Sequence, residues 1–218
     1  MKIGIVGCGF VGKAVSNGLK DSVLKLDIDP KLNTSTKDLV AFNPDIIFVC
    51  LPTPLKKDLS LDSSIVDTVI DELIELNINS LIVLKSTILP DRLKNISNRI
   101  KRFIYNPEFL REKHANEDFI NSNLLVFGGR SDDIDQIKDF YIKYTKCVCR
   151  DFVETDIVTA SLIKYSINSF LATKVSFFNE MKKIFLATNA NDTWENFIEY
   201  LQKDSRMGNS HMSVPGHD

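Results

Sequence analysis

Met1-Lys2-Ile3-Gly4-Ile5-Val6-Gly7-Cys8-Gly9-Phe10-Val11-Gly12-Lys13-Ala14-Val15 opens the chain, and its reading decides the fold. A short apolar run rich in β-branched residues predicts a strand, the glycines a tight turn, and the segment Lys13 to Lys20 a helix. Three of only nine glycines fall within the six positions from Gly7 to Gly12. In Gly7-x-Gly9-x-x-Gly12 the first glycine makes the turn, the second lets backbone N–H groups approach a pyrophosphate, and the third allows close helix–sheet packing. Phe10 and Val11 complete the loop at a helix N-terminus, where free N–H groups and the helix dipole favour anions. A second strand, Val23 to Leu26, ends in Asp27, fifteen residues past Gly12. An acid there suits the adenosine ribose hydroxyls, and the lack of an arginine immediately after it favours NAD over NADP. A plain strand–turn–helix with Asp29-Pro30 as turn residues is the alternative; Asp29 reads as a turn residue in either case.

Working outward, further strands are predicted at Ile46–Leu51, Leu81–Lys85, Phe103–Tyr105, Leu124–Phe127 and Cys147–Cys149. Helical patterns lie between most of them; in Ser64–Leu76 the residues Ile65, Val69, Leu73 and Leu76 form one apolar face. This alternation predicts an α/β, Rossmann-like, doubly wound and mostly parallel sheet over residues 1–152. From Glu154 to Ala187 there is no Gly or Pro, and apolar residues recur at helical spacing. A helix that long with so broad an apolar face is expected to pack against another chain or another domain, and 153–202, with a second helix over Thr193–Gln202, reads as a helical central or dimerisation region. Residues 203–218 read as a polar tail.

Composition sets the bounds. The 218 residues carry 27 Lys and Arg against 29 Asp and Glu, so no global basic field exists to hold nucleic acid or an anionic membrane. No run approaches the roughly 20 apolar residues of a membrane span, and the first apolar run is too short for a signal peptide. A cytoplasmic location is the expectation. Cys8, Cys50, Cys147 and Cys149 are scattered in apolar surroundings and read as reduced, buried thiols rather than a disulfide framework. Cys147 and Cys149 have no nearby partner pair for a metal, and His114, His211 and His217 are not expected to be ligands.

Four further clusters carry a resemblance. Leu51-Pro52-Thr53-Pro54, Lys85-Ser86-Thr87, Asn106-Pro107-Glu108-Phe109-Leu110-Arg111-Glu112 and Lys164-x-x-x-Asn168 occur in this order, and the first three each follow a predicted strand. Together with the glycine loop they resemble the nucleotide-sugar (UDP-glucose/GDP-mannose) 6-dehydrogenases, most nearly those acting on UDP-glucose, over their N-terminal and central portion. The resemblance implies NAD-dependent oxidation of a sugar C6 hydroxyl to a carboxylate by two successive hydride transfers. In that family a cysteine thiolate traps the aldehyde and carries the thioester that is finally hydrolysed.

Carried over to this chain, the resemblance implies that Thr53, Thr87 and Glu112 touch the cofactor region and that Thr87 helps hold the hydrolytic water. Glu108 becomes the candidate acid or base, a task suited to a desolvated carboxylate. Lys164 and Asn168, four apart on one helix face, become the substrate and oxyanion ligands. Phe109, Leu110 and Arg111 join the substrate site, and Arg206, in Asp204-Ser205-Arg206-Met207-Gly208, reaches a neighbouring subunit's sugar. Each has a plainer reading: Glu108 and Glu112 as first-turn acids of a helix after Pro107, Lys164 as a solvated lysine, Thr53 as a turn residue, and Arg206 as a helix-end charge before a glycine cap.

The family's Gly-Gly-x-Cys-Phe segment does not occur in these residues, and none of the four cysteines replaces it obviously. The expectation is therefore an N-terminal portion, impaired alone, that binds NAD and forms a homodimer through helix 154–187. Two alternatives stay open: a short β-hydroxyacid dehydrogenase, which needs no cysteine, and a non-catalytic NAD-binding module requiring a separate C-terminal half.

Overall fold

A computed structural model describes residues 1–214, so His217 and the end of the tail lie outside the described residues. Two compact units are present, the first running from Met1 to Lys164 and the second beginning at Tyr165.

The first unit is built on seven strands: β1 (Lys2–Val6), β2 (Leu24–Ile28), β3 (Ile46–Val49), β4 (Leu81–Leu84), β5 (Phe103–Tyr105), β6 (Leu125–Gly129) and β7 (Phe152–Thr155). They form one sheet in the order β2-β1-β3-β4-β5-β6-β7. The first five are parallel, β6 runs antiparallel to β5, and β7 runs parallel to β6. All residues of β3 and β4 are buried, as in a sheet covered on both faces. The period-two alternation sorts them: Ile3, Ile5, Ile46 and Phe48 enter one core with Phe127, Phe140 and Tyr141, whereas Val6, Ile47 and Val49 enter the other with Ile70 and Leu93.

Helices cover both faces: α1 (Phe10–Gly18), α2 (Asp38–Phe42), α3 (Ser64–Glu75), α4 (Pro90–Arg99), α5 (Ala115–Ile120) and α6 (Ser131–Tyr144). Two expectations need correction. The core face of α3 is Val66, Ile70 and Leu73, while Ile65 is 45% exposed. Apolar residues form two overlapping stripes around this helix, of which the expectation took one, and the sheet contact selects the other.

The second correction concerns Cys147–Cys149, which is not a strand. Lys146 N donates to Gly18 O and Val148 N to Ile120 O, so this segment is tied to the ends of α1 and α5. The sheet is instead extended by Phe152–Thr155, which also delays the long helix α7 to Ile157–Ala187. Asp156 caps it, its Oδ1 accepting from Val158 N at 2.8 Å and Thr159 N at 3.0 Å.

In the second unit, α7 continues and is followed by α8 (Trp194–Gln202), which Thr193 caps. Phe178, Trp194 and Met212 are buried there, with Phe185 edge-on and Phe197 tilted against Trp194. The tail expected to be polar places Met207, Met212 and Val214 in this core. Its apolar residues, isolated among polar ones, leave no periodicity to read.

Candidate functional site

The strand order turns back at β1: the chain goes first to β2 on one side and then to β3 on the other. Backbone diverges at such a point, leaving a crevice beyond the C-terminal strand ends. Here it is a cavity of about 1080 Å³. Its wall includes Gly7 to Val11, Ile28 to Pro30, Cys50 to Thr53, Lys85 to Thr87, and Glu108.

Each glycine of the loop meets a different constraint. Gly7 adopts φ +93°, and a Cβ there would lie 2.6 Å from Cys50 O. A Cβ on Gly12 would lie 1.9 Å from Gly7 O, so helix α1 approaches the turn as closely as backbone allows. A Cβ on Gly9 would meet nothing within 4 Å. The first turn of α1 has no acidic residue and Gly9 supplies no side-chain cap, so its N–H groups are available to an anion. On the far side, Ile28 and Asp29 form the wall, and Asp29 accepts from Lys31 N at 2.9 Å as a turn residue would. Asp27 stands beside them with Oδ1 buried and, among the described residues, without a hydrogen-bond partner, an acceptor that fits a ribose hydroxyl. These features together fit NAD, which would lie with its pyrophosphate over Gly9 and its ribose toward Asp27.

At the other end, Glu108 and Thr87 share the wall with Lys85 and Thr53. Lys164 reaches Glu108: its Nζ donates to the Glu108 backbone oxygen and, at 3.2 Å, to Oε1. Their side chains are only 5% and 14% exposed. The same ammonium lies 5.2 Å from the Phe109 ring centroid, a cation–π contact in a dry setting. Leu110 N donates to Glu108 Oε2 at 2.6 Å, so both carboxylate oxygens are engaged. Arg111 and Glu112 stand away from this pair. Arg111 is exposed and forms a two-pronged pair with Asp118. Glu112 is exposed on a 3₁₀ turn, Glu112–His114, and is not on the cavity wall. Asn168 is exposed in the second unit, and Arg206, in that unit too, binds Asp204 through both of its oxygens.

Lys85 is the residue the sequence reading did not single out. Its side chain is buried on the cavity wall and donates to Asn106 Oδ1 at 2.9 Å and Asn106 O at 3.3 Å. Tyr141 Oη also donates to Asn106 Oδ1 at 2.8 Å, and Asn106 Nδ2 donates to Val126 O at 2.9 Å. This network fixes the backbone from which Glu108 projects. The signal was present: a lysine ending the apolar run Leu81–Leu84 must find acceptors inside the protein.

Burial lowers the Lys85 pKa to about 8 from 10.5, because the charge is desolvated and its direct hydrogen-bond acceptors are neutral. The native state then binds this proton more weakly than the unfolded chain, so stability rises with pH between about 8 and 10.5. At 1.36 kcal/mol per tenfold in proton affinity, the full relief is about 3 kcal/mol. Cys50, pushed up to about 12 by burial, opposes this above pH 9. Between pH 7.5 and 9 the unfolding free energy of the wild type should therefore gain on that of Lys85→Met. Parallel curves in urea titrations across that range would refute the assignment.

Burial also raises the Cys8 thiol, with the charges of Asp27 and Asp29 adding to it. Neither cavity cysteine is thus prepared as a thiolate. All four cysteines are free, and three of them are buried. Among the described residues no group of three or more His, Cys, Asp and Glu is placed to hold a metal.

Two family models match the chain. Residues 13–145 match the NAD binding domain of the UDP-glucose/GDP-mannose dehydrogenase family, and residues 158–217 match its central domain. A UDP-glucose 6-dehydrogenase from Rickettsia bellii is 37% identical over 183 residues, which cover 80% of this chain and 42% of that protein. The Rickettsia felis enzyme is 37% identical over 187 residues, 80% of this chain and 40% of its own length. The chain thus spans about two fifths of the length of these two relatives. Among solved structures, a GDP-mannose dehydrogenase from Pseudomonas aeruginosa superposes with a TM-score of 0.81 at 23% identity, covering 98% of this chain and 59% of that one. A UDP-glucose dehydrogenase from Pyrobaculum islandicum gives 0.80 at 24% identity, covering 97% and 58%.

Proposed function

Since the chain belongs to the UDP-glucose/GDP-mannose dehydrogenase family, we propose that it serves the NAD-dependent oxidation of a nucleotide-sugar C6 hydroxyl to the carboxylate, with UDP-glucose as the sugar nucleotide. The observation that carries this reading is the continuous cavity from the glycine loop to Thr87 and Glu108. One end suits a dinucleotide and the other brings a carboxylate clamped by a buried lysine to the same space. NAD, when bound, supplies the hydride acceptor.

The protein's own residues then act as follows. Phe10, Val11 and Gly12 present helix N–H groups to the pyrophosphate, and Asp27 holds the ribose. Thr53 and Thr87 line the space where the nicotinamide and sugar would meet. Glu108, held by Lys164, is positioned to move a proton at the reacting oxygen or at water. Lys164, with Asn168, would bind the sugar and stabilise negative charge at C6; Arg206 would act toward the neighbouring protomer. These roles, and those of Phe109, Leu110, Arg111 and Glu112, rest on the resemblance.

The thiol step is proposed to lie outside these residues, so the 218-residue chain should bind NAD yet fail to release two NADH per UDP-glucose. Calorimetric titration with NAD+ followed by steady-state NADH assay with UDP-glucose tests both halves. Absent NAD+ binding defeats the reading, and full turnover defeats the need for an external cysteine. The homodimer is supported by Phe170, Phe177 and Ile184, exposed on α7 at seven-residue spacing. A cytoplasmic setting accords with four unpaired thiols. No helix among the described residues is long and apolar enough to cross a membrane.

A further inference from the structure

The cavity has an end that the chemistry above leaves unused. Helix α3 buries Val66, Ile70 and Leu73 against the sheet, and its second apolar line, Ile65, Val69 and Leu76, lies on the cavity wall instead. Across from it stand Ile28 and Pro30 at the end of β2, followed by Thr34 to Lys37. Apolar walls on both sides, next to the strand end that carries Asp27, suit the faces of a flat base. One edge of that space is polar and held in place. Thr36 is only 8% exposed, and its hydroxyl donates to Glu72 Oε2 at 2.7 Å. Glu72 itself is on the cavity wall and forms no ion pair among the described residues, and its Oε1 has no hydrogen-bond donor there. The buried threonine thereby fixes an acceptor-only group at the mouth of an apolar slot.

We propose that Glu72 reads the adenine edge of the bound dinucleotide, its Oε1 accepting from the 6-amino group, with Thr36 as the residue that positions it. The inference rests on the reading that this cavity takes NAD. Selectivity follows from donor–acceptor chemistry. Adenine offers an amino donor at position 6, whereas the deaminated base offers a carbonyl oxygen that would face the carboxylate lone pairs. Glu75 and Lys37 line the same end, but neither is fixed by a buried partner.

The test uses the whole 218-residue chain and measures binding by calorimetry, independent of catalysis. NAD+ is compared with nicotinamide hypoxanthine dinucleotide, in which the 6-amino donor is replaced by a carbonyl and the neighbouring N1 gains a proton. Wild type should prefer NAD+ by about tenfold, a hydrogen bond to a charged group being worth that much or more. Glu72→Ala should bring the ratio to within about twofold by weakening NAD+ alone. Thr36→Val should lose part of the preference and Thr36→Ser should keep it, which separates positioning from packing. Glu72→Ala leaves the buried Thr36 hydroxyl without its acceptor and should melt somewhat below the wild type, so binding is compared well below both melting temperatures. NAD+ binding with no base preference, or a preference unchanged in Glu72→Ala, overturns this inference alone. Failure of both dinucleotides to bind wild type overturns it together with the cofactor assignment.

Discussion

Lys164→Met should destabilise the first unit by about 3 to 5 kcal/mol, the usual cost of removing one partner from a buried ion pair. Glu108 accepts from Lys164 at both its backbone oxygen and Oε1, and its carboxylate is 14% exposed. Methionine keeps the aliphatic stem but leaves that carboxylate without its counter-ion. Lys85 is close enough to interact with Glu108 and tempers the loss, which argues for the lower part of the range. The decisive variant is the double one. Lys164→Met with Glu108→Gln removes the uncompensated charge and should recover about 2 kcal/mol relative to Lys164→Met alone. Urea unfolding of the four proteins in the cycle reads this directly. If Lys164→Met falls within 1 kcal/mol of wild type, the lysine is not the clamp described above, and Glu108 must be held by Leu110 N and the Asn106 network alone.

The glycine loop gives the second large effect, as a contrast between two alanine substitutions. In Gly12→Ala the new carbon would lie 1.9 Å from Gly7 O, a backbone atom that cannot swing aside. Relief requires moving α1 away from β1, and overpacking of this kind costs about 3 kcal/mol or more. Gly9→Ala meets nothing within 4 Å, so stability should change by less than about 1 kcal/mol, the cost of replacing glycine at an N-cap. Its methyl nevertheless projects into the space that a pyrophosphate would use, and NAD+ affinity should fall at least tenfold. Thermal unfolding paired with NAD+ titration separates the two. A Gly9→Ala protein with full affinity would place the pyrophosphate elsewhere than over the loop.

How much of this was legible differs from residue to residue. The glycine turn was readable because backbone geometry admits few alternatives there: only glycine tolerates φ +93° with a carbonyl 2.6 Å from where Cβ would be. The order of strands was readable from apolar runs, yet Cys147–Cys149 and Phe152–Thr155 compete locally for the same sheet edge. The winner is set by hydrogen bonds from Lys146 and Val148 to distant helix ends, which no local pattern contains. That a lysine ending the apolar run Leu81–Leu84 needs acceptors was readable, but not that Asn106 supplies them, since Asn106 is held by Tyr141 and Val126 from later in the chain. Glu112 and Arg111 lie in the same motif as Glu108, yet they stand exposed while Glu108 faces the cavity.

The sequence alone therefore determined the turn, the strand–helix alternation and the chemical classes of the residues at the strand ends. Those depend on steric rules and on periods of two and 3.6, which act over a few residues. Tertiary structure decided which of two apolar stripes on α3 faces the core and which faces the cavity. It decided too that the buried Lys85 ends on Asn106 and that Lys164 closes on Glu108. Burial and pairing are set by what lies across the sheet, and a carboxylate or an ammonium acquires its function from the dielectric and partners that the folded chain puts around it.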